Sequence, residues 1–364
     1  MKTFVAGTSK KLIKTKIYTL APSNIALVKY WGKRDFQIPL NPSVSFSLKK
    51  AQSKTEIEVL PIKTKRNLPS VEFTFEKKPS KVFSSKVNAF LKHASRYCPW
   101  LLDHHLVIDS ENNFPHSSGI ASSASSMASM AIGIMQIENQ LFENTLSPTH
   151  LLSKASFLAR LGSGSAARSI EGPMVIWGES SRFPKSNNQY GVRVDQILEL
   201  HPIFKTFCNA ILIIDYKSKK VSSSTGHHLM NDHPYRESRI LQAHNHLGEL
   251  EEVLTTGDLS NLIPIVEREA LSLHSLMMSS SDYYLLFKPN TVQAINEIID
   301  FRKSTKLPIM FTLDAGPNIH VLYPQALKAQ VEEFIKLQLK RLCLNNQILF
   351  DGVGPGATWS FSKK

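Results

Sequence analysis

Cysteine is nearly absent from this 364-residue chain: Cys98, Cys208 and Cys343 are far apart and form no CxxC pair. So odd and sparse a set excludes a disulfide framework and a thiolate zinc site, and it fits a reducing compartment. Long apolar runs are missing too. No stretch approaches the roughly 20 apolar residues that a membrane helix needs. Nor does a run of about 7–15 apolar residues follow the basic segment Met1–Lys16, so no secretory signal is expected. The expectation is a cytosolic protein with no membrane partner. The chain also lacks a GxxxxGK[ST] phosphate loop, internal repeats and low-complexity tracts.

What is abundant is positive charge, a net +13 from 43 basic and 30 acidic residues. Such a balance serves nucleic acid or a polyanionic small molecule, while a dispersed lysine surface serves neither. The lysines are scattered, and no RNP, zinc-finger or helix-turn-helix pattern occurs, so nucleic acid is not expected as a partner. The length suits two domains or one large α/β domain, and a 42% hydrophobic content supports a core of ordinary density without staples.

Hydrophobic periodicity predicts strands at 16–20, 44–48, 55–60 and 106–109, with a turn-rich connection or hairpin over 63–81. Helices are predicted over 82–96, from near Ser118 to about Met135, and over 148–161 with Ser147 as cap; a strand follows at 174–177. The second half begins near residue 195. It reads as a strand at 210–214, helices at 234–254, 259–277 and 291–304, strands at 309–313 and 319–322 about a tight turn, and a final amphipathic helix at 326–342. Alternating strands and helices make the class α/β or α+β, and order alone leaves the sheet topology open.

Four constellations carry possible chemistry. In Pro115-His-Ser-Ser-Gly-Ile-Ala-Ser-Ser-Ala124, Gly119 permits close backbone approach, the serines add donors, and a helix start aims its free N–H groups at the same place. The same residues also suit a small-residue helix packed closely on a sheet, and composition leaves both readings open. Gly162-Ser-Gly-Ser-Ala-Ala-Arg168 fits GxGxxA, but a helix precedes it where a dinucleotide site needs a strand. A serine-rich turn backed by Arg168 better suits a carboxylate or phosphate. Asp314, at a strand end before Gly316-Pro317, is well placed as a general base, although aspartate at such a position often only bonds its own turn. Ala21–Asp35 gathers Lys29, Lys33 and Arg34 around Tyr30 and Trp31, a pattern shared by anion sites, single-strand stacking platforms and ordinary exposed basic loops. Asp103-His104-His105, His227-His228 and His244/His246 lack the spacing of metal ligands, so no protein-ligated metal is expected.

In combination and order these segments resemble the mevalonate diphosphate decarboxylases. The resemblance rests on Ala21–Asp35, Pro39–Ser45, Glu111–Pro115 with Gly119–Ala124, Ala159–Ser169, Val221–Ser223 and Asp314–Asn318. It spans residues 18 to about 323, with Gly354-Pro355 as a weaker extension. The family lies in the GHMP kinase superfamily. The resemblance therefore implies a two-domain α+β fold: an N-terminal α/β ATP-binding domain (1–195), a C-terminal ferredoxin-like domain (196–364), and an active site in the cleft between them. It implies catalytic roles for Asp314 and Lys29. Substrate contacts are implied at Asn24, Tyr30, Lys33, Ser163, Ser165, Arg168 and Ser223, and ATP contacts at Ser117, Gly119, Ser122 and Ser123. The chain departs from the family pattern at His116-Ser-Ser-Gly119, at Ala167 and Glu171, and at Ser224, where some bacterial members carry arginine.

The activity so implied is the conversion of mevalonate 5-diphosphate to isopentenyl diphosphate, with ATP and Mg²⁺, by a homodimer. Sibling alternatives are a mevalonate 5-phosphate decarboxylase and a mevalonate 3-kinase that stops after phosphorylation. A non-catalytic binder on the same fold is a more distant one.

Overall fold

The computed structural model describes residues 4–7, 12–115, 120–216 and 223–362, except for the side chains of Ser223 and Ser224. Its first sheet starts with β1 (Thr15–Val28), in which Ile17 and Thr19 alternate inward before every residue from Ala21 to Val28 becomes buried. A strand covered on both faces reads as continuous burial instead of alternation. The exposed-loop alternative for 21–35 is thereby corrected for its first eight residues, which are strand. Pro22 sits where the pairing of β1 with β2 (Ser43–Pro61) shifts register, the kind of irregularity that tolerates a missing N–H.

β3 (Ser70–Phe75) and β4 (Lys78–Pro79) form the expected hairpin, followed by α1 (Lys81–Ala94) and β5 (His104–Asn112). α2 (Ser122–Leu141) begins later than the expected Ser118. Its preceding residue, Ala121, has φ +45°, which prevents the helix from running further back. α2 lies close on the sheet: a Cβ at Gly133 would stand 2.7 Å from Ile57 Cδ1. α3 (Pro148–Gly162) starts as expected, with Ser147 accepting the His150 N–H, and β6 (Met174–Trp177) and β7 (Val192–Arg193) close the half. Buried Lys154 on α3 meets Glu138 on α2 at 2.5 Å, and Trp100 Nε1 donates to the same carboxylate, so neither charge is left bare in the helix layer.

The second half supplies β8 (Cys208–Leu212), the short α4 (Ser223–His228), α5 (Arg236–Thr256), α6 (Leu259–Met278), α7 (Pro289–Thr305), β9 (Met310–Thr312) and β10 (Ile319–Tyr323). The predicted helix 326–342 is α-helical only over α8 (Lys328–Phe334), then widens and tightens through two further turns before β11 (Ile348–Gly352) and β12 (Thr358–Phe361). β8–β11 form an antiparallel sheet in the order β11-β8-β10-β9, the ferredoxin-like arrangement with helices in both crossovers. β12 returns across the boundary expected at 195/196 and pairs antiparallel with β1, giving the first sheet the order β12-β1-β2-β5-β3-β4, with β6 and β7 on the other part of β2. One apolar cluster joins the halves: Ile25, Leu27, Val44 and Phe46 pack with Phe204, Ile211, Leu250, Val266 and Met310. The two sheets thus share a core, and the end of β1 is fixed at their junction.

Candidate active site

That end delivers Lys29. Its backbone is held from three sides: its N–H donates to Glu269 Oε2 at 2.7 Å, and its carbonyl accepts from Asn41 Nδ2 at 2.8 Å and Arg239 Nη2 at 3.0 Å. Arg239 also forks onto Glu269 at 2.7 and 2.6 Å, and His246 Nδ1 lies 2.7 Å from the same carboxylate. Glu269 is fully buried. Burial alone would raise its pKa, but Arg239, His246 and the Lys29 N–H hold it down at about 2. A bidentate pair with its remaining lone pairs occupied is the form in which a buried charge is tolerated. The sequence did not single out Glu269 or Arg239, because each is one polar residue among several on its helix, and His246 was read only as a poor metal ligand.

With its backbone fixed, buried Lys29 reaches Asp314 Oδ1 at 2.9 Å. Asp314 follows β9 on a turn closed by Gly316 N–H to its own carbonyl, and His274 Nε2 lies 3.1 Å from that carbonyl. Asn318 ties the turn to the end of β8, accepting from the Ile214 and Asp215 N–H groups and donating to the Asp215 carbonyl. Burial raises the Asp314 carboxyl, but the charge and hydrogen bond of Lys29, with Arg168 further off, outweigh that and leave it below its usual range. Burial conversely lowers Lys29 against the pull of Asp314. The pair is ionic, and Asp314 keeps a quarter of its side chain open to the cleft.

Arg168 ends a short turn, Gly164–Arg168, that caps α3. Its guanidinium donates to Ser45 Oγ (2.9 Å), Ser43 Oγ (2.6 Å) and Asn24 Oδ1 (3.4 Å), all neutral. Burial brings it down to about 10, still cationic at neutral pH. Asn24 is positioned in turn by Ser169 Oγ and the Ser165 carbonyl. Ser43 and Ser45 lie within the Pro39–Ser45 motif, and their i, i+2 spacing on a strand is the signal for a shared face.

Lys29, Asp314 and Arg168 border a cavity of about 310 Å³ lined also by Tyr30, Lys33, Ser123, Ser163, Ser165 and His227. Among the described residues four cations line it (Lys29, Lys33, Lys86 and Arg168) against one carboxylate, Asp314. Part of the excess positive charge therefore sits in the cleft. The Tyr30 hydroxyl is buried without a partner among the described residues, and Lys33, lowered by burial, bonds only Gln37 Oε1 at 2.9 Å. Ser123 and Ser163 come within 3.3 Å of each other, bringing the start of α2 to the end of α3. Ser122 is on the first turn of α2 but does not line the cavity, and Asn24 stands behind Arg168. Ser117 and Gly119, and the side chain of Ser223, lie outside the described residues. Among the described residues no group of three or more His, Cys, Asp or Glu is arranged to hold a metal. His104 instead bonds the Ile13 N–H, and His105 lies against Ser70.

Residues 21–188 match the diphosphomevalonate decarboxylase-like N-terminal domain. The match covers a little under half of the chain. Beyond this domain, the Diphosphomevalonate decarboxylase ERG19 of Gibberella zeae is 29% identical over 338 residues, covering 85% of this chain and 82% of the relative. The mevalonate diphosphate decarboxylase from Staphylococcus aureus has the same fold at a TM-score of 0.80 and 26% identity, covering 96% of this chain and 98% of that one. A structure of MDDEF in complex with MVAPP, AMPPCP and magnesium superposes at a TM-score of 0.80 and 23% identity over 96% of this chain and all of its own. Family, relatives and fold agree with the motif resemblance along nearly the whole chain.

Proposed function

We propose that this chain catalyses the ATP-dependent decarboxylation of mevalonate 5-diphosphate to isopentenyl diphosphate, ADP, phosphate and carbon dioxide. The observation that carries the reading is the Lys29–Asp314 pair in a cleft whose other cations, Lys33, Lys86 and Arg168, have no carboxylate partner among the described residues. Buried Arg168, half-buried Lys33 and exposed Lys86 together suit a polyanion, and the substrate and ATP bring a carboxylate, a diphosphate and a triphosphate.

In the proposed sequence Asp314 orients the tertiary hydroxyl and takes its proton as the oxygen attacks the γ-phosphoryl group of ATP, releasing ADP. The new phosphate leaves with the C–O electron pair. The carboxylate bond then breaks to carbon dioxide, and its electrons form the alkene. Lys29 holds Asp314 in place and offsets negative charge at the reacting centre. Tyr30 and Lys33 are assigned to the diphosphate; Arg168, with Asn24, Ser163 and Ser165, to the carboxylate and phosphate side. Ser122 and Ser123, with Ser117 and Gly119, are assigned to the ATP loop, and Ser223 to the phosphates.

A lone carboxylate in the cleft fits Mg²⁺ carried in on nucleotide phosphates, which needs only one or two protein ligands. When bound, the ion would offset phosphate repulsion. The family resemblance also assigns the protein to the cytosol as a homodimer, with 1–195 as the ATP-binding domain and 196–364 as the ferredoxin-like domain. The test is ADP release by the purified chain with ATP and Mg²⁺. Release that depends on mevalonate 5-diphosphate and is accompanied by carbon dioxide is expected; ADP without carbon dioxide would make it a kinase, and neither product would make it a binder.

A further inference from the structure

His227 lines the cleft, yet nothing above gives it a role. Its place is tightly determined. α4 packs on Trp31 so closely that a Cβ at Gly226 would stand 2.7 Å from the indole and 2.5 Å from the Tyr284 hydroxyl. The His227 ring lies between Tyr30, at 4.3 Å between centroids, and Trp31, at 4.6 Å. The Gly32 N–H, on a residue with φ +89°, donates to His227 Nδ1 at 2.9 Å.

That hydrogen bond decides the tautomer. A backbone amide only donates, so Nδ1 is the acceptor nitrogen, and in a neutral imidazole the proton then sits on Nε2. The ring is neutral: burial, followed by the charges of Lys33 and His228, brings its pKa down to about 3. Nε2–H points away from Gly32 and has no acceptor among the described residues. Close by are the unpaired Tyr30 hydroxyl and the Lys33 ammonium. Three donors therefore line the same cavity, and none has an anionic partner among the described residues.

We infer that His227 is a binding residue of the cleft, its Nε2–H donating to an anionic oxygen at the phosphoryl end of the substrate beside Tyr30 and Lys33. The identity of that substrate rests on the proposed function; the donor role does not. Two variants separate the ring's two tasks. His227→Asn keeps an acceptor for Gly32 but has no donor at the Nε2 position, whereas His227→Gln places an amide N–H near Nε2 and gives up the Gly32 bond.

His227→Asn is expected to melt like wild type and to raise KM for mevalonate 5-diphosphate by about tenfold to a hundredfold, the loss of one charge-assisted hydrogen bond. KM for ATP should stay in place, and His227→Gln should regain most of the loss. A wild-type substrate KM in His227→Asn would overturn the inference. A second measurement is independent of the reaction: ¹⁵N spectra of histidine-labelled protein should show His227 as the neutral Nε2–H tautomer, with a resonance that moves on adding inorganic pyrophosphate. The other tautomer, or an unmoved resonance, would overturn the donor role. A wild-type enzyme inert toward mevalonate 5-diphosphate whose His227 still responds to pyrophosphate would reject the substrate and keep the site.

Discussion

Lys29 Nζ stands 2.9 Å from Asp314 Oδ1 although 285 positions separate the two residues and they leave different sheets. Each sheet contributes one half of the pair, so the pair exists only because the shared apolar core holds the sheets together. Asp314→Asn should preserve this packing, since the amide oxygen can still accept from Lys29. The variant is expected to fold and bind ATP while losing about 10²-fold to 10⁴-fold in kcat, the usual contribution of a positioned acid–base group. Near-normal turnover in a folded Asp314→Asn protein would remove Asp314 from the chemistry.

The same pair sets a pH dependence. Asp314 is held below the ordinary carboxylate range by Lys29, so in the proposed mechanism it stays ionised to a lower pH than a free aspartate would. In Lys29→Met the cation is gone and burial, which raises the carboxyl, prevails. The acid limb of kcat/KM should then move to higher pH, in addition to a loss of rate. An acid limb at the same pH in both proteins would show that Lys29 does not tune Asp314.

Glu269 offers a stability test away from the reacting atoms. Its pKa is depressed from 4.5 to about 2, so its contribution is fully present above the unfolded value and is lost as the pH falls from about 4.5 toward 2. Glu269→Gln leaves buried Arg239 without its carboxylate and should cost about 3–5 kcal/mol at neutral pH, the typical penalty for breaking a buried pair. Denaturant melts at pH 7 and pH 3 check both statements. The difference between wild type and variant should shrink at the lower pH; an equal or larger difference there would contradict the assignment.

The proposed function and the inference for His227 make substrate choice depend on Tyr30, Lys33 and His227, which line the same cleft. A terminal phosphate that engages even one of them should gain about 1.5–3 kcal/mol per charge-assisted bond, so the 5-diphosphate should be preferred to the 5-monophosphate by at least tenfold in kcat/KM. Lys33→Ala should narrow that ratio by slowing the diphosphate selectively. Equal efficiency on both esters would make the chain a monophosphate enzyme or a tolerant one.

The motifs made Lys29, Tyr30, Lys33, Arg168 and Asp314 legible because each belongs to a contiguous run whose residue types serve one purpose. The burial of Ala21–Val28 was present in its unbroken apolar stretch Ile25–Val28, but the basic residues beyond it kept an exposed loop among the readings. Glu269, Arg239 and His246 carried no such signal. Each sits among other polar residues on α5 or α6, and only the packing of those helices over the end of β1 brings Glu269 and Arg239 onto the Lys29 backbone and His246 onto Glu269. The strands β11 and β12 are five and four residues long and lack alternation, since they are edge strands in the two sheets. His227 could not be separated from His228 by spacing, because its role follows from a hydrogen bond to Gly32.

The most direct test of the central claim follows the fate of the substrate's carboxyl carbon. Mevalonate 5-diphosphate labelled with carbon-13 at that position, incubated with ATP, Mg²⁺ and the purified chain, should lose its carboxylate signal to carbon dioxide and bicarbonate in step with ADP, one for one. ADP accumulating while the carboxylate signal persists, or no ADP at all, would contradict the account.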